Sequence, residues 1–273
     1  MSGLALRTER SGDHVAEVVL TGPGKGNAMG PAFWDECPRV FGELGMDPSV
    51  RAIIVRGQGG HFTYGLDLPA MGAELLPLVG GAPGAPERTR LLAMIGAMQG
   101  AFNAIARSPK PVIAAVAGWC IGGGVDLITA CDIRLCASDA KFSVREVKVA
   151  MVADLGSLQR LPGIVGEGHA RELALTGRDI DARRAERIGL VNEVFDDEAA
   201  LLAGARSLAA EVAANSPLVV TGIKHVMNAR TEREVDAGLH TVALWNAAFL
   251  PSEDLGEAFA AFAMRRTPRY AGR

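Results

Sequence analysis

Three carboxylates and a run of glycines are the residues best suited to chemistry in this chain. Asp126 follows Gly122-Gly123-Gly124 after one residue, Val125, Glu146 lies twenty residues further on, and Asp154 eight beyond that. Carboxylates gathered around one site can take and return protons. Three glycines between an apolar strand and a helix let the backbone approach a ligand closely and leave N–H groups free at the helix start. Such groups suit an oxygen that carries negative charge. A second glycine-bearing turn, Phe62-Thr63-Tyr64-Gly65-Leu66-Asp67-Leu68, precedes the first by about sixty residues. Neither is a phosphate loop, because no Lys-Ser/Thr follows the glycines, and GxGxxG does not fit.

Each acid also has a plain structural reading. Asp126 would sit in the first turn of a helix, where the dipole favours a carboxylate. Glu146, with Arg145 and Lys148 close by, could be a solvated strand charge. Asp154 could cap a helix before Leu155-Gly156-Ser157, and Asp67 reads as a helix-start cap. Asp132 and Arg134 are expected to form a polar contact behind the site. His61 and His169 have no partner at metal-ligand spacing. Phe33 and Trp34 read as core.

The elements that must hold these groups alternate. His14–Leu20 and Val50–Val55 read as strands, Pro31–Leu44 as a helix, and Val112–Val116 as a buried strand leading through the glycines into a helix over Val125–Cys131. Residues 72–88, rich in Gly, Pro and Ala, are expected to form a mobile loop. Arg88–Arg107 reads as an amphipathic helix. Residues 140–150 look strand-like, with Glu146 on the strand. From Asp197 onward the pattern is nearly all helix, over 198–215, 218–229, 231–249 and 252–264. Strand, glycine turn and helix recur at 51–70 and 112–131, which suggests stacked ββα repeats rather than a dinucleotide-binding sheet.

Composition narrows the function classes. With 273 residues, 49% apolar and 22% charged, the chain can bury a large core. A net charge of −3 argues against a nucleic-acid surface. The four cysteines show no CxxC pair, so disulfides and zinc are not expected. No apolar run approaches the roughly 20 residues of a membrane span. The N-terminus lacks an apolar leader segment and the C-terminus is not an SKL-type address, which gives the expectation of a soluble, cytoplasmic protein.

With both turns in view, the chain resembles the crotonase (enoyl-CoA hydratase/isomerase) superfamily over about 14–265. The first turn matches that family's F-[ST]-x-G-x-D-L pattern, and Gly118 to Asp132 its G-x-x-x-G-G-G-x-[DE] pattern followed by C-D-I. The resemblance implies an α/β spiral of stacked ββα units over 1–196 and a C-terminal helical region over 197–273. That region would serve trimerisation, or a dimer of trimers, and cover an acyl pocket, through Val242, Leu244, Trp245, Phe249, Phe259 and Phe262. It further implies an acyl-CoA thioester substrate, with the thioester oxygen held by the backbone N–H groups of Leu66 and Gly123. Substrate- and CoA-binding positions would fall at Lys25, Asn27, Ala28, Tyr64, Gly65, Leu66, Asp67, Leu68, Gly122 and Gly123. Gly22 and Gly24 depart from the family's L-N-R-P-E-type turn. No metal or redox cofactor is implied, since CoA belongs to the substrate.

Within the family, Asp126 stands where hydratases carry a glutamate and Asp154 where they typically carry a glycine, while Glu146 is kept. This trio is similar to that of Δ3,5-Δ2,4-dienoyl-CoA isomerases. It implies a double-bond shift in which Glu146 works at C2, Asp154 at C6, and Asp126 orients or tunes the pair. The alternatives are an enoyl-CoA hydratase, for which an Asp at 126 would loosen the hold on water, and a non-catalytic crotonase-fold binding protein.

Overall fold

The computed structural model describes residues 5–22 and 26–273. In chain order it contains β1 (Leu6–Arg10), β2 (Val15–Leu20), α1 (Pro31–Met46), β3 (Ala52–Gly57), α2 (Leu68–Val79), α3 (Ala85–Ala106), β4 (Val112–Val116), β5 (Trp119–Ile121), α4 (Gly123–Ala130), β6 (Ile133–Ala137) and β7 (Lys141–Ser143). It continues with α5 (Ser157–Val165), α6 (Glu167–Thr176), β8 (Ile180–Asp181), α7 (Ala182–Arg187) and β9 (Glu193–Phe195). Four helices close the chain: α8 (Glu198–Ala214), α9 (Pro217–Ala229), α10 (Glu232–Phe249) and α11 (Glu253–Ala263).

The main sheet has the order β1-β2-β3-β4-β6-β9 and is parallel except at the β1–β2 hairpin. Its central strands are apolar at nearly every position because both faces are covered. On one face, Val15, Ala52, Ile54, Ile113, Ala115 and Leu135 pack against Leu201, Ala205, Ala209 and Ala213 of α8. On the other, Val18, Ile53, Val55, Ala114 and Val116 join the core formed with α1 and α3. A second sheet, β5-β7-β8, stands beside the first. β4 leaves the main sheet through Gly118 and continues as β5, so the chain steps from one sheet to the other just before α4. The same step occurs after β3, where Thr63 forms an isolated parallel bridge to Cys120 before α2 begins. The two ββα units are therefore stacked and joined at their turns.

Two sequence expectations fail. Residues 72–88 are not a loop: α2 and α3 fill most of the stretch, leaving only 80–84 between them. Burial decides this, because Leu78 and Val79 pack against Leu91 and Ile95 and against Ala243, Leu250 and Leu255 of the C-terminal helices. Residues 140–150 are not one strand. β7 stops at Ser143, and Glu146–Val149 form a 3-10 turn closed by Ala150 in the left-handed conformation, φ +56°. The antiparallel β1 is an addition that the sequence reading did not include.

Candidate active site

The two glycine turns meet. Met29 N–H donates to the Gly65 carbonyl at 2.8 Å and Asp67 N–H to the Met29 carbonyl at 3.0 Å. Between these bonds, the Leu66 N–H donates to no group among the described residues. Gly123 is the first residue of α4, where no carbonyl lies one turn back, and its N–H is likewise unpaired among the described residues. The two amides border one gap: a Cβ built on Gly123 would lie 3.9 Å from the Leu66 nitrogen, and one built on Gly65 would lie 3.1 Å from the Gly123 nitrogen. Gly65 has φ +80°, and its Cβ would also come within 2.6 Å of the Ile121 carbonyl oxygen. Only glycine permits that approach.

Much of the first turn holds the loop in place. The Thr63 hydroxyl donates to the Asn27 carbonyl at 2.8 Å and accepts from Gly65 N–H at 3.0 Å. Asn27, buried and at φ +50°, donates through Nδ2 to the carbonyls of Gln58, His61 and Phe62. Its side chain is a fastener of the turn. The Asp67 carboxylate accepts from Ala70 N–H at 3.0 Å and caps α2, which Leu68 opens. Tyr64 donates its N–H to the Gly26 carbonyl and lays its ring beside His61, centroids 5.2 Å apart. Ala28 is half-buried, its carbonyl pressed on Gly22. Lys25 lies outside the described residues.

The three acids converge beside this gap. Asp126 is fully buried on α4, and its Oδ1 accepts from Ser157 N–H at 2.5 Å, at the N-terminus of α5. Burial pushes its pKa up, while the Ser157 contacts and the charge of Arg160 pull the other way. The 3-10 turn brings Glu146 to the glycines: its Oε1 would lie 3.3 Å from a Cβ on Gly122. Burial, and then the adjacent Asp126 charge, push Glu146 well above the usual carboxylate range. Among the described residues, neither Asp126 Oδ2 nor Glu146 Oε2, both sealed from solvent, has a hydrogen-bond donor. Two such acids this close cannot both be comfortably ionised. Asp154 does not cap a helix. Its Oδ2 accepts from Asn246 Nδ2 at 2.7 Å and its carbonyl from Gln99 Nε2 at 2.7 Å. Burial, against the Asn246 hydrogen bond and with the Asp126 charge adding to it, raises its pKa to about 7. A buried gap with two amide donors and three acids, two of them raised well above their ordinary values, can stabilise an oxyanion and move protons at more than one carbon.

Several groups that hold the acids were not picked out by sequence reading. Ser157, Arg160, Gln99 and Asn246 come from three different helices, and only the fold brings them together. A usable signal existed at α5, where Gln159 and Arg160 interrupt an apolar stretch just after Gly156. Other expectations need correction. Asp132 does not hydrogen-bond Arg134: it accepts from Lys224 Nζ and from Val112 N–H, both at 2.7 Å, while Arg134 holds the Leu190 and Cys131 carbonyls. Of the C-terminal apolar residues, Val242 is buried and Phe259 partly buried against the cluster that holds Leu255, while Leu244, Trp245, Phe249 and Phe262 are exposed. His61 and His169 do pack as expected, the first on Trp119 N–H and the second beside Arg184.

Known proteins share both the sequence and the fold. Residues 10–273 match the family described as Enoyl-CoA hydratase/isomerase. The chain is 47% identical over 267 residues to the mitochondrial Delta(3,5)-Delta(2,4)-dienoyl-CoA isomerase of Dictyostelium discoideum, covering 96% of this chain and 90% of that one. It is 43% identical to the peroxisomal protein of the same name from Arabidopsis thaliana, covering 98% and 96%. The crystal structure of an enoyl-CoA hydratase/isomerase from Pseudoalteromonas atlantica superimposes with a TM-score of 0.84 at 27% identity, over 98% of this chain and 100% of that one. The expectation of a cytoplasmic protein is overturned by these relatives, which are named for the mitochondrion and the peroxisome. The motif at each glycine turn, the stacked ββα units and the match along nearly the full length agree: the chain belongs to the enoyl-CoA hydratase/isomerase, or crotonase, family.

Proposed function

We propose that the chain isomerises a 3,5-dienoyl-CoA to the 2,4-dienoyl-CoA. The observation that carries this reading is Asp154, a third acid with a pKa near 7, in electrostatic contact with Asp126 and Glu146 at the same pocket. A shift of two conjugated double bonds removes a proton from C2 and adds one at C6. Charge in between spreads over the thioester oxygen and the diene. Two acid/base groups separated along the acyl chain are needed, because one short side chain cannot reach both carbons.

The thioester oxygen sits between the Leu66 and Gly123 N–H groups, whose unpaired state leaves them ready for it. Each such donor lowers the barrier by about 3–4 kcal/mol in a dry site. Glu146, beside Gly122 and therefore next to that oxygen, takes the C2 proton, and its raised pKa makes it a stronger base than an exposed carboxylate. Asp154 gives its proton to C6, and before the next turnover Glu146 releases the proton taken from C2 and Asp154 takes one up, so that the exchange of protons with solvent balances. Asp126 touches neither carbon and tunes the pair. CoA binds along the turns at 26–28 and 64–68, and CoA is the only coenzyme the reaction uses. The α/β unit, 1–196, carries the oxyanion donors and the acids, and the helical region, 197–273, closes over the pocket and joins three chains in a trimer, or six in paired trimers.

The test is direct. Purified protein offered a 3,5-dienoyl-CoA should generate the absorbance of the conjugated 2,4-diene, and a 2-enoyl-CoA should be hydrated far more slowly. Hydration as the faster reaction would assign the chain to the hydratases instead. Turnover of neither substrate, with acyl-CoA still bound, would make it a binding protein.

A further inference from the structure

Asp126 is buried, Glu146 and Asp154 are half-buried, and a half-buried arginine, Arg160, lies near them without an ion-pair contact to any of the three among the described residues. Arg160 lies on the first turn of α5 and folds back along it, so that a Cβ on Gly156 would collide with its Nη1. Gly156 takes φ +133°, a conformation open to glycine and strained for other residues. Nη2 donates to Asn103 Oδ1 on α3 at 2.6 Å. Nη1 is sealed from solvent and has no hydrogen-bond partner among the described residues. The residue after Gly156 is Ser157, whose N–H grips Asp126. The guanidinium thus lies against the residue that precedes the amide gripping Asp126, and its charge acts on that acid.

We propose that Arg160 is a positioning residue whose guanidinium, anchored by Asn103 and backed by Gly156, holds Asp126 as the ionised member of the trio and so fixes where the protons of Glu146 and Asp154 reside. The proposal rests on the acid/base roles given above. An arginine is suited to the task because it stays charged even when buried. The charge attracting it most strongly is Asp126, on α4. The other charged or titratable groups facing it are Arg107 on α3, which opposes it, and Asp236 on α10 and Cys131, which support it. Arg107 is engaged by Glu232 and Asp236 at the surface. Asp126 in turn is faced by Glu146, Asp154, Arg160 and the buried Cys120. With Asp126 ionised, Glu146 is the stronger base and Asp154 keeps its proton to a higher pH. Without the cation, the cluster as a whole binds protons more tightly, and Asp126 competes with Glu146 for them.

The sign follows from the charge. Removing Arg160 raises the pH at which the base becomes available, so the acidic limb of the kcat/KM profile moves upward. Arg160→Gln should shift it by about 1 pH unit. Arg160→Lys, which restores the charge, should recover most of that shift. Asn103→Ala frees the anchor without touching the charge and should give a smaller shift in the same direction. A second measurement needs no substrate: infrared difference titration of the free protein, which follows the carbonyl band of protonated buried carboxyls. That band should appear at a pH about 1 unit higher in Arg160→Gln. A limb and a band that stay at the wild-type pH, with only kcat or stability reduced, would reduce Arg160 to packing and overturn the proposal. A shift in Arg160→Lys as large as in Arg160→Gln would overturn it too. If Arg160→Gln fails to fold, Asn103→Ala decides, and an unmoved limb and band there sink the idea. Absence of dienoyl-CoA turnover in the wild type, with the infrared shift intact, would overturn the proposed function and leave this inference standing.

Discussion

At pH 6 the Asp154 carboxyl holds its proton, and at pH 8 it has mostly lost it, because its pKa lies at about 7. In the role proposed for it, donor to C6, it must be protonated, so kcat should fall as pH rises through that value, measured from the 2,4-diene absorbance. Asp154→Asn should lower isomerase turnover by about 1,000-fold. Exchange of the C2 protons with deuterated solvent, followed by NMR, should survive, since Glu146 and the oxyanion donors remain. The same shift makes a stability statement. A carboxyl whose folded pKa is raised above its ordinary 3.8 binds more protons folded than unfolded in that window. Its contribution is intact below about pH 4 and is lost as pH rises towards 7. Asp154→Asn should therefore be more stable than wild type at pH 8, by on the order of 2 kcal/mol, and no more stable at pH 4. Urea titrations at both pH values check this. Asp126, Glu146 and Asp154 stood out in the sequence after the glycine turns, whereas Leu66 and Gly123 came from the resemblance of those turns to a family pattern. Arg160, Asn246 and Gln99 did not stand out, because a polar residue on a helix looks the same whether it faces water or an acid from another element.

The elements place these groups through two glycine turns that close on each other. Gly65→Ala introduces a Cβ against the Ile121 carbonyl and beside the Gly123 nitrogen. The turns must part, and kcat/KM should fall by about 100-fold or more, with the acyl-CoA Kd changed much less. Further from the pocket, the sheet is tied to α8 by one buried carboxylate. Glu17 on β2 accepts from Arg56 on β3 at 2.6 Å and from Arg206 on α8 at 2.7 Å. Burial works to raise its pKa, but the hydrogen bonds from Arg206, Ser11 and Arg56 outweigh it and hold it at about 2. This folded-state value is depressed, so the stabilisation is present above the ordinary 4.5 and fades as pH falls towards 2. Glu17→Gln should cost about 2 kcal/mol at pH 7 and almost nothing at pH 2. The strand and helix pattern of this core could be read from continuous apolar runs, and the C-terminal helices from their spacing. The stretch 72–88 could not, because Gly, Pro and Ala signal a loop locally, whereas Leu78 and Val79 find their partners on helices far along the chain.

Across the described residues, α9 presents an exposed apolar face. Leu218 is 84% exposed, Val226 71% and Met227 68%, with Val219 and Ile223 beside them. Trp245 and Phe249 stack on α10 with centroids 4.7 Å apart and are also exposed. Faces of this size suit association with further copies, in keeping with the trimer proposed above. A double substitution, Val226→Glu with Met227→Glu, should shift the solution mass to that of one 28.6 kDa chain, read by size exclusion with light scattering. The sequence reading favoured residues of α10 and α11 and passed over α9, since an apolar helical face gives no hint of whether a core or a neighbour covers it. One contact ties this scale back to the smallest. Asn246 reaches from α10 to the Asp154 side chain and the Val152 carbonyl. The acid proposed for C6 is thus seated by a helix that lies beyond the α/β body. The contacts that join the two glycine turns, Met29 with Gly65 and Asp67, lie elsewhere. Loosening α10 alone, as in Asn246→Ala, should therefore weaken protonation at the far carbon more than removal of the proton next to the thioester.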